Sequence, residues 1–147
     1  SNFKPQTSNF FMGRILSIDY GKKRTGLAVT DPLQLIANGL TTVPTHELIP
    51  FLKKYMAAET VSEIIIGDPK NLDGSATDAT ALVTECIRIL HKHFPEIPVK
   101  KIDERFTSKL ATRSMLDSGL KKKDRQNKAL VDEISATILL QEYLQYK

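Results

Sequence analysis

The stretch Ile15-Leu16-Ser17-Ile18-Asp19-Tyr20-Gly21-Lys22-Lys23-Arg24-Thr25-Gly26-Leu27-Ala28-Val29-Thr30 carries most of the fold information in the chain. Its first six residues read as a strand that is apolar except at Ser17 and Asp19. The glycine-bounded basic segment 21–26 reads as a turn, and Leu27 to Thr30 as the returning strand. The result is a β-hairpin with a carboxylate at the end of its first arm. After the break at Asp31-Pro32, a third extended stretch, Gly39 to Val43, completes an antiparallel meander.

Beyond the meander the periodicity changes. Leu48, Phe51, Leu52, Tyr55 and Met56 recur at three- and four-residue spacing, so a helix follows, with Thr45 as its expected cap. Val61 to Gly67, with Ile64-Ile65-Ile66 at its centre, reads as a strand buried on both faces. A polar loop, 68–74, precedes a helix expected from Ser75 or Ala76 to Pro95, with Leu82, Val83, Cys86, Ile87, Leu90 and Phe94 on its apolar side. Val99 to Asp103 is a short strand, and Thr107-Ser108 would cap a helix ending at Gly119. A basic linker, 120–128, then leads to a last helix over about Ala129 to Tyr146. The order β-β-β-α-β-α-β-α-α predicts an α/β fold: a mixed five-stranded sheet with an antiparallel three-strand start and flanking helices.

Length and composition bound the function. With 147 residues, 41% hydrophobic and 26% charged, the chain suits one globular domain, expected over 12–147, with 1–11 as a tail or extension. No apolar run reaches the length of a membrane span, and neither a signal peptide nor a disulfide is expected, Cys86 being the only cysteine. These features predict a cytoplasmic protein without membrane partners. The net charge is only +4, but residues 100–128 hold ten Lys or Arg against four acids, which is +6 and leaves −2 elsewhere. Such concentration suggests a polyanion-facing side.

Three acids stand at the mouths of elements: Asp19 near the end of one strand, Asp103-Glu104 at the end of another, and Asp132 one turn into the last helix. Each alone has an ordinary reading: turn hydrogen bonds for Asp19, backbone amides for Asp103, a strand-end ion pair for Glu104 beside Arg105, and the helix dipole for Asp132. If the elements pack side by side, the carboxylates converge, and like charges about 4 Å apart repel by about 1 kcal/mol even in water. A divalent cation with a preference for oxygen ligands removes that penalty. Asp68 adds an acid beyond the central strand, as a loop cap or as a fourth metal-facing group, with the cap the preferred reading. Gly21 and Gly26 are expected to give the turn backbone freedom. His91 and His93 face different ways on their helix and make no zinc pair, and Thr107 and Ser108 lack a histidine motif to activate them as nucleophiles.

Together these residues resemble a family. Asp19-Tyr20-Gly21-Lys22-Lys23-Arg24-Thr25-Gly26-Leu27-Ala28 is similar to the DxGxKRxGxA opening of the YqgF/RuvX family, pre-16S rRNA nucleases also called Holliday-junction resolvase-like proteins. Gly67-Asp68-Pro69-Lys70-Asn71-Leu72-Asp73-Gly74-Ser75 resembles its GxPxNxDG(S/T) loop, with Asp68 where the family often has an apolar residue. Asp103-Glu104-Arg105-Phe106-Thr107-Ser108 resembles DERxTS, and Val131-Asp132 with Ser135-Ala136 and Ile138-Leu139-Leu140 resembles the last helix.

The resemblance implies an RNase H-like fold and a hydrolase acting on phosphodiester bonds. Asp19, Glu104 and Asp132 would be its catalytic acids and the ligands of Mg²⁺ or Mn²⁺. It also implies structured RNA as substrate, in 5′-end processing of the 16S rRNA precursor on the pre-ribosomal small subunit. Junction-resolving cleavage of branched DNA and a non-catalytic assembly factor are the alternatives. Lys22, Lys23, Arg24 and Arg105 are expected phosphate contacts, as are Lys121, Lys122, Lys123 and Arg125 unless they form only a solvated linker. A monomer or a homodimer is compatible with this chemistry. The Asp19-x-Gly21…Gly26 pattern is also similar to the phosphate loop of actin-like ATPases, whose two-domain architecture exceeds this length.

Overall fold

A computed structural model of the chain describes residues 13–71, 73–108, 112 and 128–147. Three strands open it, β1 (Arg14–Tyr20), β2 (Arg24–Thr30) and β3 (Ala37–Pro44), followed by helix α1 (Leu48–Ala58) and strand β4 (Val61–Asp68). Helix α2 (Asp78–His93), strand β5 (Val99–Asp103) and a C-terminal helix, here α3 (Lys128–Tyr146), complete the described elements. The strand order is β3-β2-β1-β4-β5. The first three strands pair antiparallel, while β4 and β5 join parallel to β1. The expected mixed five-stranded α/β sheet is therefore present. The tail at 1–11, the helix running to Gly119 and most of the linker 120–128 lie outside the described residues.

Strand alternation sorts the side chains into two layers. Leu16, Ile18, Leu27, Val29, Ile64 and Ile66 form one core with Leu48 and Leu52 of α1 and Val83, Cys86 and Leu90 of α2. Ile15, Ala28 and Ile65 form the other with Ala136, Leu139 and Leu140 of α3. The Ile64-Ile65-Ile66 run thus serves both faces, as a central strand covered by helices requires.

Several boundaries differ from the sequence reading. Thr45 does not cap α1. Its hydroxyl donates to the Gly21 carbonyl at 2.7 Å and lies 2.9 Å from Thr25 Oγ1, so it staples the β1–β2 turn to the segment entering the helix. Helix α2 starts later than Ser75 or Ala76, because Thr77 forms a reciprocal capping box with Thr80. The loop before it is closed by Asn71 and Asp73, whose side chains bond Ser75 at 2.9 and 2.8 Å. At the sheet end remote from the β1–β2 turn, buried Glu63 accepts from Tyr143 at 2.5 Å and pairs with Lys100 at 2.8 Å and Lys147 at 3.2 Å. This cluster locks the end of α3 onto β4 and β5.

Candidate active site

Asp19 shares its strand face with Ser17 and Ile15, two and four residues back. Ile15 packs against α3, and Ser17 Oγ donates to the Ala136 carbonyl at 2.8 Å. Two residues forward along β1 and one helical turn back along α3 lead from this contact to Asp19 and Asp132. Those two acids therefore meet at the same end of the same layer. Asp132 is buried, and one oxygen accepts from Arg24 Nε at 2.8 Å.

Two glycines make this approach possible. Gly26 is the ladder partner of Asp19, and a methyl group there would collide with the Asp132 carbonyl. Gly67 follows Ile66, which pairs with Ile18, and a methyl group at Gly67 would collide with Glu104 Oε2. Glu104, also buried, thus lays its carboxylate over Gly67, beside Asp19. Gly26 has an ordinary strand conformation. Its purpose is close packing, which replaces the expected turn flexibility.

Asp68 and Asp103 do not join this group. They are direct partners in the parallel β4–β5 ladder, and alternation from Ile64 and Ile66 turns them to the α1/α2 face. Asp103 takes Arg105, with Nη2–Oδ2 at 2.7 Å and the Arg105 amide donating to Oδ1 at 3.0 Å. Its carboxyl is held below the usual carboxylate range chiefly by the Arg105 side chain. The ion pair anticipated for Glu104 therefore belongs to Asp103. The expected cap role of Asp68 is also corrected: the side chain is buried, Oδ2 is 3.9 Å from Lys70 Nζ, and Oδ1 has no partner among the described residues.

Of the expected cationic contacts, Lys22 and Lys23 are exposed, whereas Arg24 and Arg105 are engaged with Asp132 and Asp103. Lys121, Lys122, Lys123 and Arg125 lie outside the described residues. Sequence reasoning missed the packing roles of Gly26 and Gly67. The signal available was a glycine adjacent to each acid-bearing motif.

A divalent cation fits the donor set in kind. Asp19, Glu104 and Asp132 offer anionic oxygens on one layer, and the Gly67 cradle admits the Glu104 carboxylate, which a Cβ would exclude. Among the described residues no three His, Cys, Asp or Glu side chains are drawn tightly enough together to grip an ion, and Arg24 supplies the countercharge to Asp132.

Comparison with known proteins identifies the family. A family model described as "RuvX: Holliday junction resolvase" matches residues 13–146. A Bacteroides thetaiotaomicron protein named "Putative pre-16S rRNA nuclease" is 63% identical over 136 residues, covering 92% of this chain and 99% of its own. A Flavobacterium johnsoniae protein of the same name is 57% identical, with 92% and 99% covered. Among solved structures, T. thermophilus RuvC in complex with a Holliday junction substrate superposes with a TM-score of 0.54 at 14% identity, over 90% of this chain and 94% of that one. That likeness places the sheet and its helices in the RNase H-like class. With a family model matched over residues 13–146 and a relative 63% identical along nearly all of its own length, the chain belongs to the RuvX family.

Proposed function

We propose that this protein is a nuclease that hydrolyses phosphodiester bonds in structured RNA, acting on the 16S rRNA precursor during maturation of the small ribosomal subunit. The observation that carries the reading is that Asp132 and Glu104 pack against Gly26 and Gly67 on the α3 side of the sheet, the side to which strand alternation turns Asp19. The names of its relatives supply the RNA substrate. Such a substrate places the activity in the cytoplasm, and no helix among the described residues is long and apolar enough to cross a membrane.

In this reading Asp19, Glu104 and Asp132 hold Mg²⁺ or Mn²⁺. When bound, such a cation supplies Lewis-acid polarisation of the phosphoryl oxygen and lowers the pKa of water. The chain itself contributes position. The short strands and the buried helix face hold the acids rigidly, Arg24 orients Asp132 through its 2.8 Å contact, and exposed Lys22 and Lys23 attract the phosphate backbone. No side-chain nucleophile is required, and solvent provides the attacking oxygen.

The family description favours a second reading, cleavage of branched DNA. One experiment separates the two. Purified protein is incubated with a precursor-end RNA and with a four-way DNA junction, each with Mg²⁺, with Mn²⁺ and with chelator. Metal-dependent cutting of the RNA supports the proposal, and cutting of the junction alone transfers it to DNA. Salt-sensitive binding of either without cutting would identify a non-catalytic assembly factor.

A further inference from the structure

A cavity of about 300 Å³ opens on the α1/α2 side of the sheet, at the same end as Asp19. Tyr20, the residue after Asp19, forms one wall; Ile49 of α1 with Cys86 and Ile89 of α2 form the apolar remainder. Lys22 and His46 stand at the mouth, and both are exposed. The cavity is preformed. The Thr45 amide donates to the Lys23 carbonyl at 2.9 Å and the Thr45 hydroxyl to the Gly21 carbonyl at 2.7 Å, so the turn and the entry to α1 move as one wall. Its volume is at the lower limit of small-molecule sites, roughly 300–1,000 Å³, which suits one planar ring system and excludes a peptide helix.

The cavity and the acids lie on opposite faces of the sheet at the same end of β1, where the β1–β2 turn forms their common edge. From that turn, Arg24 reaches Asp132 on one side of the sheet, and Lys22 lines the cavity on the other. A strand with a phosphate at Asp19 has only to cross the turn for a neighbouring nucleotide to meet Lys22. The chemistry of the cavity matches such a nucleotide: the Lys22 ammonium and the His46 ring at the mouth for a phosphate, and an aromatic and aliphatic interior for a base.

We propose that this cavity is a nucleotide-binding subsite that takes one unstacked base of the substrate strand, with the adjoining phosphate at Lys22. The subsite sets which nucleotide next to the scissile bond is accepted. It rests on the nuclease reading for its biological substrate, and its test does not depend on cleavage.

Protein labelled at the isoleucine δ1-methyl groups is titrated with each of the four nucleoside 5′-monophosphates and, separately, with inorganic phosphate. The Ile49 and Ile89 resonances are expected to shift saturably with at least one nucleotide and to stay in place with phosphate. Ile89→Trp, which fills the cavity, should weaken that nucleotide about tenfold or more. Equal shifts with phosphate would reduce the cavity to an anion site and overturn the proposal. So would shifts confined to Ile102 on the α3 face, or none at all; these outcomes are read on the wild-type protein, whatever the folding of the variant. Cleavage assayed on the same preparation separates the two claims. Metal-dependent cutting without the Ile49 and Ile89 shifts removes the subsite alone, whereas the shifts without cutting remove the nuclease reading and leave the subsite standing.

Discussion

The end of the sheet at which Asp19 lies carries acids on both faces, and the two faces treat them differently. Toward α3, the backbone of Asp132 lies against Gly26 and the carboxylate of Glu104 against Gly67, and each acid comes from a different element. Toward α1 and α2, Asp68 and Asp103 are ladder neighbours, with Lys70 and Arg105 beside them as local countercharges. The second group is a set of short-range pairs within a few residues. The first is assembled over more than a hundred residues and includes two positions, Gly26 and Gly67, where a Cβ would collide with its neighbours.

Exchanging acids between the faces gives the largest contrast. Asp19→Asn should lower cleavage by about three orders of magnitude while leaving the circular dichroism spectrum and melting temperature nearly unchanged. Cleavage at the wild-type rate would break the comparison at its centre. Gly26→Ala comes next. Its methyl group must push the α3 backbone away at Asp132, so denaturant unfolding should show a loss of about 1–3 kcal/mol, and cleavage should fall along with it. A tolerated alanine would mean that the helix is less closely seated than described.

A smaller effect is expected at the far end of α3. Burial on its own would raise the pKa of Glu63, but hydrogen bonds from Lys100, Tyr143 and Lys147 outweigh it and leave the pKa lowered. A carboxyl with a lowered folded-state pKa stabilises fully above its unfolded value, here 4.5, and loses that contribution as the pH falls through the folded value. The melting temperature of the wild type should therefore decline below about pH 4.5, and Glu63→Gln should decline less over the same window. Parallel pH profiles would remove Glu63 from the lock.

The smallest effect belongs to Asp68→Asn. Asparagine is nearly the same size and gives up only the 3.9 Å contact with Lys70, so stability should change by under about 1 kcal/mol and cleavage by less than twofold. A loss comparable to that of Asp19→Asn would merge the two faces into one site.

Much of this was legible in the chain. The alternation in Ile15 to Thr30, the all-apolar Ile64-Ile65-Ile66 run and the helical spacing from Leu48 to Met56 predict elements that are present. Local patterning reports these because each depends on neighbours within a few residues. The three site acids were also nameable, through their motifs. Less legible were Thr45, which gives its hydroxyl to Gly21 rather than to a helix end, and the pairing of Arg105 with Asp103.

The sequence by itself determined that the chain makes a mixed α/β sheet, that acids end two strands and enter the last helix, and that the family motifs run through it in order. Only the tertiary structure decided which acids share a face. Strand alternation assigns each side chain a side, but which helix covers that side, and how closely, depends on contacts between residues as remote as Gly26 and Asp132. That separation made Gly26 look like a flexible turn residue. The fold makes it the surface on which the helix carrying Asp132 rests.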